Sequence, residues 1–344
     1  MTYEVTIGIP VYNVEQYIRE SLQSALSQTH PDIEFLICDD CGTDSSLDII
    51  QEIQDIHPRG KDIRVIHQPY NMGVSAARNR IIDEARGRML YFMDSDDLIE
   101  PFTIAKLIEE QKQNDADIVF GSYDKIEVYN DNYVEDIVQY PRSVFLEEEQ
   151  LAAFAYRKYG GLQASSCNYL VNVELLRNIG LRFIDTDYWE DMAFTNELVT
   201  YCRRSVLLPD ITYHYMCRYN SLSNYQQRNT IEKEEILRSV KVVDYLKVQS
   251  LRLKSKSYYP QRCRMVMMTA FYVLCNILKN SNKISPSFTR KELKHIMNYP
   301  ASLMEIIRFR QVRTLNLVLF MIGKLPASMM LWVISIVGKW KGLI

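Results

Sequence analysis

Residues 89–97 read MLYFMDSDD, five largely apolar residues followed by three carboxylates within four positions. The apolar run predicts a buried β-strand, with Asp94, Asp96 and Asp97 just past its carboxyl end. Carboxylates this close repel one another unless solvent, helix amides or a cation compensates the charge. Mn²⁺ and Mg²⁺ suit such a loop because they bind through one or two carboxylates together with substrate phosphates. The alternative is a solvated loop that caps a helix beginning at Pro101.

Strands and helices alternate through the residues before this run. The alternation predicts a Rossmann-like α/β fold with a mostly parallel sheet flanked by helices. Ligands of such sheets bind at the carboxyl ends of the strands, where Asp39 and Asp40 also fall. The predicted strands are Val5–Ile9, Ile33–Cys38, Ile63–His67 and Met89–Met93. Three predicted helices lie between them: the first follows an Asn13 cap, the second follows the caps Thr43-Asp44-Ser45, and the third follows the turn Asn71-Met72-Gly73 and ends at Gly87.

The pattern changes along the second half of the chain. A helix from Pro101, a strand near residues 117–122, further strands within 125–140 and a helix near 147–156 extend the sheet region. Beyond about residue 230 strand signals give way to helical spacing punctuated by prolines. We therefore expect a catalytic domain over residues 1–228 and a helical, basic C-terminal region over residues 229–344.

Charge is distributed unevenly along the chain. The net charge is −3, yet residues 250–344 contain 16 Lys and Arg against 2 Asp and Glu. Because these cations are interleaved with Leu, Ile, Met and Trp, the composition favours lipid over nucleic acid as the partner. Residues 315–338 approach a bilayer-spanning length, but Lys324 and Pro326 interrupt them, which predicts two short interfacial or docked helices. The alternative is packing on the catalytic domain or on a second subunit, as in a homo-oligomer.

The compartment is expected to be reducing. The chain has seven cysteines, an odd number, scattered mostly through apolar runs. The carboxylates between Cys38 and Cys41 oppose thiolate formation and disfavour redox chemistry there. No basic and apolar leader precedes the first strand. We expect a cytoplasmic protein at the inner face of the cell membrane.

Four motifs lie along the predicted sheet edge: VTIGIPVYN, SALSQTHPDIEFLICDDCGTDSS, NMGVSAARN and YFMDSDDLIEP. In this order and spacing they resemble the nucleotide-binding half of the family 2 inverting glycosyltransferases, which have the GT-A fold. The resemblance covers roughly the first 125 residues and continues more weakly through WEDMAF and HYMCRYNSLS. The usual DDGSTD of the family reads DDCGTD here, a departure that leaves the carboxylates in place and alters the turn residues.

The resemblance implies a donor site for a nucleotide-diphosphate sugar, and we expect a UDP-sugar. Tyr12 would stack on the base, and Asp40 would accept a ring N–H, which suits the imide of uracil. The alternatives are core packing for Tyr12 and helix capping for Asp39 and Asp40. Arg78 would be a basic residue on the donor side, or else an exposed helix arginine. The implied donor-binding residues are Pro10, Tyr12, Asn13, Asp39, Asp40, Asn71, Gly73, Arg78, Asp94, Ser95, Arg218 and Ser221.

The resemblance also implies the catalytic and metal-binding residues. Asp191 is the candidate general base that takes the proton of an acceptor hydroxyl, with Glu190 as its partner. Carboxylates also favour the first turn of a helix, which is the alternative for Asp191. Asp96, Asp94 and His214 would hold Mn²⁺ or Mg²⁺. The expected reaction is hexosyl or N-acetylhexosaminyl transfer to a saccharide or glycolipid acceptor in glycolipid, capsule or lipopolysaccharide synthesis.

Other classes of protein remain open at this point. A nucleotidyltransferase uses the same kind of carboxylate-metal site, but it carries a glycine-rich basic loop after the first strand, where this chain has Pro10-Val11-Tyr12-Asn13. A dinucleotide-binding dehydrogenase lacks support because no G-x-G-x-x-G follows that strand. A catalytically silent scaffold of the same fold is disfavoured by the intact carboxylates.

Overall fold

The computed structural model describes residues 2–127, 133–163, 165–186, 188–217 and 230–344. Contacts between Cα atoms divide the chain into two compact units. The first unit comprises Met1–Leu151, Ser165–Asp187 and Leu198–Ser221, and the second comprises Ala152–Ala164, Tyr188–Glu197 and Leu222–Ile344. The second unit therefore takes two short segments from the middle of the chain as well as the C-terminal region.

A mixed β-sheet forms the centre of the first unit. Among the described residues its strand order is β3-β2-β1-β4-β9-β6-β10-β5, with β7 beside β6 and β8 beside β10. The predicted parallel sheet is confirmed for β3, β2, β1 and β4, whereas β9 pairs antiparallel with both β4 and β6. The strands are β1 (Tyr3–Val11), β2 (Ile33–Asp39), β3 (Ile63–His67), β4 (Gly87–Phe92), β5 (Leu98–Ile99), β6 (Ile118–Glu127), β7 (Tyr133–Val138), β8 (Ser143–Phe145), β9 (Tyr169–Asn172) and β10 (Ser205–Cys217).

Helices flank this sheet and bury their apolar faces on it. In α1, for example, Ile18, Leu22 and Ala25 are buried at helical spacing, so the predicted amphipathic pattern is confirmed. The helices in the first part of the chain are α1 (Ile18–Leu26), α2 (Ser46–Ile56), α3 (Val74–Glu84), α4 (Thr103–Asn114), α5 (Gln150–Lys158), α6 (Val173–Ile179) and α7 (Glu190–Leu198).

Two predicted helix boundaries are wrong for a structural reason. Asn13 does not cap α1, which begins five residues later, because its Oδ1 accepts a hydrogen bond from the Thr43 amide at 2.7 Å. Gly87 does not end α3 but opens β4, and a Cβ there would lie 2.3 Å from the backbone nitrogen of Thr6. Both residues serve contacts between loops and strands that are distant in sequence.

Helices make up most of the second unit. α5 and α7 contribute most of their residues to it, and a two-stranded parallel pair, β11 with β12, joins the helices. Buried apolar residues of α8, α9, α10, α12 and α13 form one core cluster. The elements are β11 (Ile231–Glu232), α8 (Lys233–Ser250), α9 (Tyr259–Lys279), β12 (Ile284–Ser285), α10 (Arg290–Ile296), α11 (Leu303–Ile307), α12 (Arg313–Lys324) and α13 (Ala327–Trp340).

The C-terminal apolar stretch forms two helices, as its interruption predicts. α12 ends at Lys324 and α13 begins at Ala327, with Pro326 between them. In the described part of the chain, no helix combines the length and the hydropathy that a membrane span requires. Both helices bury one face in the core of the second unit, through Leu319 of α12 and through Met330 and Ile334 of α13.

Candidate active site

Three loops meet at the carboxyl edge of the parallel strands. β1 lies between β2 and β4, with Pro10 opposite Cys38 and Gly8 opposite Phe92. The loops that follow these strands therefore start side by side, and they carry Tyr12 and Asn13, then Asp40, then the acidic run from Asp94. The sheet itself brings together the side chains that the motifs single out.

Asp40 fixes the turn that precedes α3. Its two carboxylate oxygens accept hydrogen bonds from the backbone amides of Met72 and Gly73, each at 2.8 Å. Gly73 has φ of +84°, which glycine adopts without steric cost, and its amide also lies 3.2 Å from Asn71 Oδ1. A carboxylate oxygen accepts two hydrogen bonds, so Asp40 keeps acceptor capacity for a ligand while it holds the turn.

Asp39 is engaged differently from its neighbour. Its Oδ1 accepts from the Gly42 amide at 3.1 Å, and its Oδ2 lies 3.0 Å from His67 Nδ1. Cys41, at the position where the family usually has glycine, has φ of +59°, in the left-handed region that glycine favours. The turn geometry is therefore kept despite the substitution, at some conformational cost to Cys41.

The remaining candidate donor-binding residues differ in exposure. Pro10 is buried at the end of β1, whereas the Tyr12 side chain is 46% exposed. The packing alternative for Tyr12 is therefore not observed, and its ring is accessible for stacking. Asn71 is exposed and Ser95 is buried.

Arg78 is buried and paired with the first carboxylate of the acidic run. Its Nη2 lies 2.8 Å from Asp94 Oδ1, and its guanidinium lies over the Phe183 ring, 5.4 Å from the centroid. The alternative of an exposed helix arginine is thus not observed. No sequence signal pointed to Phe183, because it lies 105 residues away in a segment without a motif. The pair fixes the position of the Asp94 carboxylate.

Asp97, the last carboxylate of the acidic run, is a structural anchor. Its Oδ2 accepts from the Tyr213 hydroxyl at 2.6 Å, and its Oδ1 accepts from the Met216 amide at 2.9 Å. Burial, together with the charges of Asp96 and Asp94, raises the pKa of Asp97 well above its ordinary value. Asp97 thereby ties the acidic loop to β10. Neither Tyr213 nor Met216 carries a local signal for this contact.

His214 lies between two carboxylates, and on β10 it is paired with Leu98, the residue that follows the acidic run. Its Nδ1 is 2.8 Å from Asp124 Oδ1 and its Nε2 is 3.1 Å from Glu100 Oε1. Both ring nitrogens are thus engaged by side chains. His214 as a metal ligand stays a prediction, and the contacts with Asp124 and Glu100 are its structural alternative.

The acidic run fits a cation that is shared with a ligand. Among the described residues, no group of three or more His, Cys, Asp or Glu side chains is arranged to enclose a metal ion. Asp94 is paired with Arg78 and Asp97 with Tyr213, while Asp96 is half-buried beside them. One or two carboxylates plus substrate phosphates are what Mg²⁺ usually uses. The residues therefore suit a cation completed by a diphosphate.

Glu190 and Asp191 lie in the second unit, at the start of α7. Glu190 is buried and Asp191 is half-buried, with Asp191 Oδ1 accepting from the Met192 amide at 2.6 Å. Trp189 has φ of +62°, an uncommon conformation for a bulky residue, and its side chain packs against the C-terminal core. The chain thus turns sharply just before these carboxylates. Arg218 and Ser221 lie outside the described residues.

A GT-A fold with carboxylates after β2 and β4 defines a class of protein that binds nucleotide sugars. The chain belongs to glycosyl transferase family 2, whose family profile matches residues 6–180. It is similar to the UDP-Glc:alpha-D-GlcNAc-diphosphoundecaprenol beta-1,3-glucosyltransferase WfaP of Escherichia coli. The two are 27% identical over 238 residues, which cover 69% of this chain and 86% of WfaP.

Solved structures show the same fold over nearly the whole chain. Staphylococcus aureus TarS 1–349 in complex with UDP-GlcNAc matches with a TM-score of 0.64 at 17% identity, covering 93% of this chain and 89% of that chain. The mannosyltransferase PcManGT from Pyrobaculum calidifontis in complex with GDP-Man and Mn²⁺ matches with a TM-score of 0.52 at 14% identity, covering 99% and 88%. At these identities the likeness concerns the GT-A fold alone.

Proposed function

We propose that this chain transfers a hexose or N-acetylhexosamine from a UDP-sugar to an acceptor hydroxyl, with inversion at the anomeric carbon. The observation that carries the proposal is the shared edge at which Tyr12, Asp40 and the Asp94 run meet in a family 2 glycosyltransferase. An accessible aromatic face and a carboxylate with spare acceptor capacity suit a uracil ring. Asp94, which is paired with Arg78, is assigned to bind the ribose.

The transfer step needs a proton acceptor and a stabilised leaving group. We assign the general base to Asp191 and a positioning role to Glu190, on the match of Trp189-Glu190-Asp191 to the motif of the family. When bound, Mn²⁺ or Mg²⁺ neutralises charge on the diphosphate, and Asp96 with Asp94 would hold it. No covalent intermediate is required, since the acceptor hydroxyl attacks directly from the face opposite the diphosphate.

The acceptor is proposed to be a lipid-linked or growing saccharide at the inner face of the cell membrane. The relative WfaP is named for an acceptor on diphosphoundecaprenol. The helical, basic region from residue 229 is proposed to hold the enzyme at that surface, because cations and exposed apolar side chains occur together there. The context of glycolipid, capsule or lipopolysaccharide synthesis follows from the same reasoning.

Donor binding is tested by thermal shift with UDP, GDP and ADP in the presence of Mn²⁺, Mg²⁺ or EDTA. Because ligand bound only to the folded state adds about 2.7 kcal/mol at a hundredfold excess over Kd, UDP with metal should raise the Tm clearly. Asp96→Ala should abolish that rise and leave the unliganded Tm unchanged. The control Asp48→Ala removes an exposed carboxylate of α2 and should keep the rise. Equal stabilisation by UDP in metal and in EDTA would contradict the metal assignment.

A further inference from the structure

A cleft of about 460 Å³ in the second unit has five cationic residues among the ten that line it. Its walls come from the end of α5, from the loop between α8 and α9 together with the first residues of α9, and from the segment after α11. None of its lining residues belongs to the proposed donor, metal or catalytic set. The cations that line it are Arg157, Lys254, Lys256, Arg308 and Arg310.

The positive charge of this cleft is only partly compensated. Lys254 Nζ lies 2.8 Å from Glu305 Oε1, and this hydrogen bond from Lys254, with those from Ser302, lowers the pKa of Glu305 to about 2. Among the residues that the structure describes, Arg157, Arg308 and Arg310 form no ion pair with a carboxylate. The cleft therefore retains at least three uncompensated guanidinium groups.

Concavity separates this cluster from an ordinary solvated basic surface. Arg157, Arg308 and Arg310 are each exposed, yet they line one concave site, which focuses their combined field more than a convex surface does. Guanidinium groups donate paired hydrogen bonds in a geometry that matches phosphate oxygens. The volume falls within the range of about 300–1,000 Å³ that is usual for small-ligand sites.

We propose that this cleft binds a phosphate or diphosphate group of a ligand, at a site separate from the donor site. The carrier of that group is either a lipid or a soluble ester. Exposed apolar side chains of α11, those of Leu303, Met304 and Ile307, come directly before Arg308 in the chain. An apolar surface next to a phosphate site suits a lipid whose headgroup enters the cleft.

The test uses the full-length protein with two double variants of equal charge loss. Arg308→Gln with Arg310→Gln removes two exposed guanidinium groups of the cleft, and Arg290→Gln with Lys291→Gln removes two exposed cations at the start of α10. One arm measures binding of inorganic pyrophosphate in EDTA by equilibrium dialysis. The other measures sedimentation with phosphatidylcholine vesicles that contain or lack phosphatidylglycerol.

The proposal predicts that the cleft variant weakens binding at least about tenfold in one arm or in both, while the α10 variant stays near wild type. Loss in the pyrophosphate arm alone identifies a soluble ester, and loss that depends on phosphatidylglycerol identifies a lipid. Equal effects of the two double variants, or no measurable binding by the wild type in either arm, would overturn the proposal.

Discussion

Asp39 and Asp40 are adjacent carboxylates that the sequence does not distinguish. The motif places both at the end of β2, but only the folded chain shows that Asp40 holds the amides of residues 72 and 73 while Asp39 faces Gly42 and His67. Apart from the contact between Asp39 and Gly42, these contacts join residues that are 28 to 33 positions apart along the chain. The residue types predicted that both carboxylates lie at this sheet edge, whereas the different partners of Asp39 and Asp40 required the loop geometry.

Asp40→Asn should therefore be much more damaging than Asp39→Asn. An amide at position 40 accepts from only one of the two backbone N–H groups and directs its own N–H₂ at the other, at a cost of about 1–3 kcal/mol. At position 39 an amide accepts from Gly42 with its oxygen and donates to Nδ1 of the His67 ring with its nitrogen. Urea unfolding and titration with UDP measure stability and donor affinity.

The expected result is a loss of both stability and UDP affinity for Asp40→Asn, with Asp39→Asn losing less than about 1 kcal/mol. Equal losses for the two variants would show that the turn does not depend on Asp40.

Helix α7 is anchored by a buried ion pair that hydrophobic periodicity does not reveal. Arg262 of α9 is fully buried and bonds Glu197 through Nη2 and the hydroxyl of Tyr156 through Nη1. Arg252 Nη2 reaches the other Glu197 oxygen at 2.6 Å. A charged residue on a helix is normally expected to be exposed. The sequence pattern therefore does not predict that α7 buries Glu197. The same helix begins with Glu190 and Asp191, so the pair fixes the element that carries the candidate base.

Arg262→Met should cost about 3–5 kcal/mol, because it leaves the buried Glu197 with fewer partners. Adding Glu197→Met should recover most of the loss, since an apolar pair replaces the charged one and Arg252 is partly solvated. The control Arg264→Met changes a half-buried arginine two residues along α9. Equilibrium unfolding in urea measures the free energy of unfolding of all three variants. A double variant as unstable as Arg262→Met alone, or equal losses for Arg262→Met and Arg264→Met, would refute this role for the pair.

At the scale of the molecule, the sheet could be predicted from the sequence, whereas the packing of the helical region could not. Strand β3 coincides with its prediction, and β1 and β2 extend theirs by one or two residues, because buried apolar runs mark strands clearly. Strand β4 begins two residues before its predicted start and ends one residue before its predicted end. The boundary expected near residue 228 stays a prediction, while the second unit also takes in residues 152–164 and 188–197. Contacts formed across long sequence separations decide that assignment, and local patterns do not encode them.

The tail helices carry an exposed apolar face opposite their buried one. On α13 the side chains of Met329, Trp332, Ile336 and Trp340 are exposed at helical spacing, with Trp332 at 66% and Trp340 at 81%. Because Met330 and Ile334 belong to the core, deleting the tail would damage the fold, and point variants of the exposed face are the better test. Trp332→Ser with Trp340→Ser should leave the Tm unchanged and reduce sedimentation with anionic vesicles.

Ile56→Ser, which changes an exposed apolar residue of α2, is the matched control and should sediment as wild type does. Size-exclusion chromatography with light scattering, run in parallel, addresses the alternative of a second subunit. If the tryptophan variant keeps full vesicle binding and instead changes molecular mass, the face is an interface between subunits.

The anomeric configuration of the transferred sugar tests directly whether the chain transfers a sugar with inversion. The protein is incubated with α-linked UDP-hexoses and UDP-N-acetylhexosamines and a lipid-linked GlcNAc diphosphate acceptor, and the new linkage is read by NMR. Inverting transfer should give a β linkage, and Asp191→Asn should lose about 10²–10⁴-fold of the transfer rate while its affinity for UDP stays unchanged. An α linkage, or transfer by Asp191→Asn at the wild-type rate, would contradict the proposal.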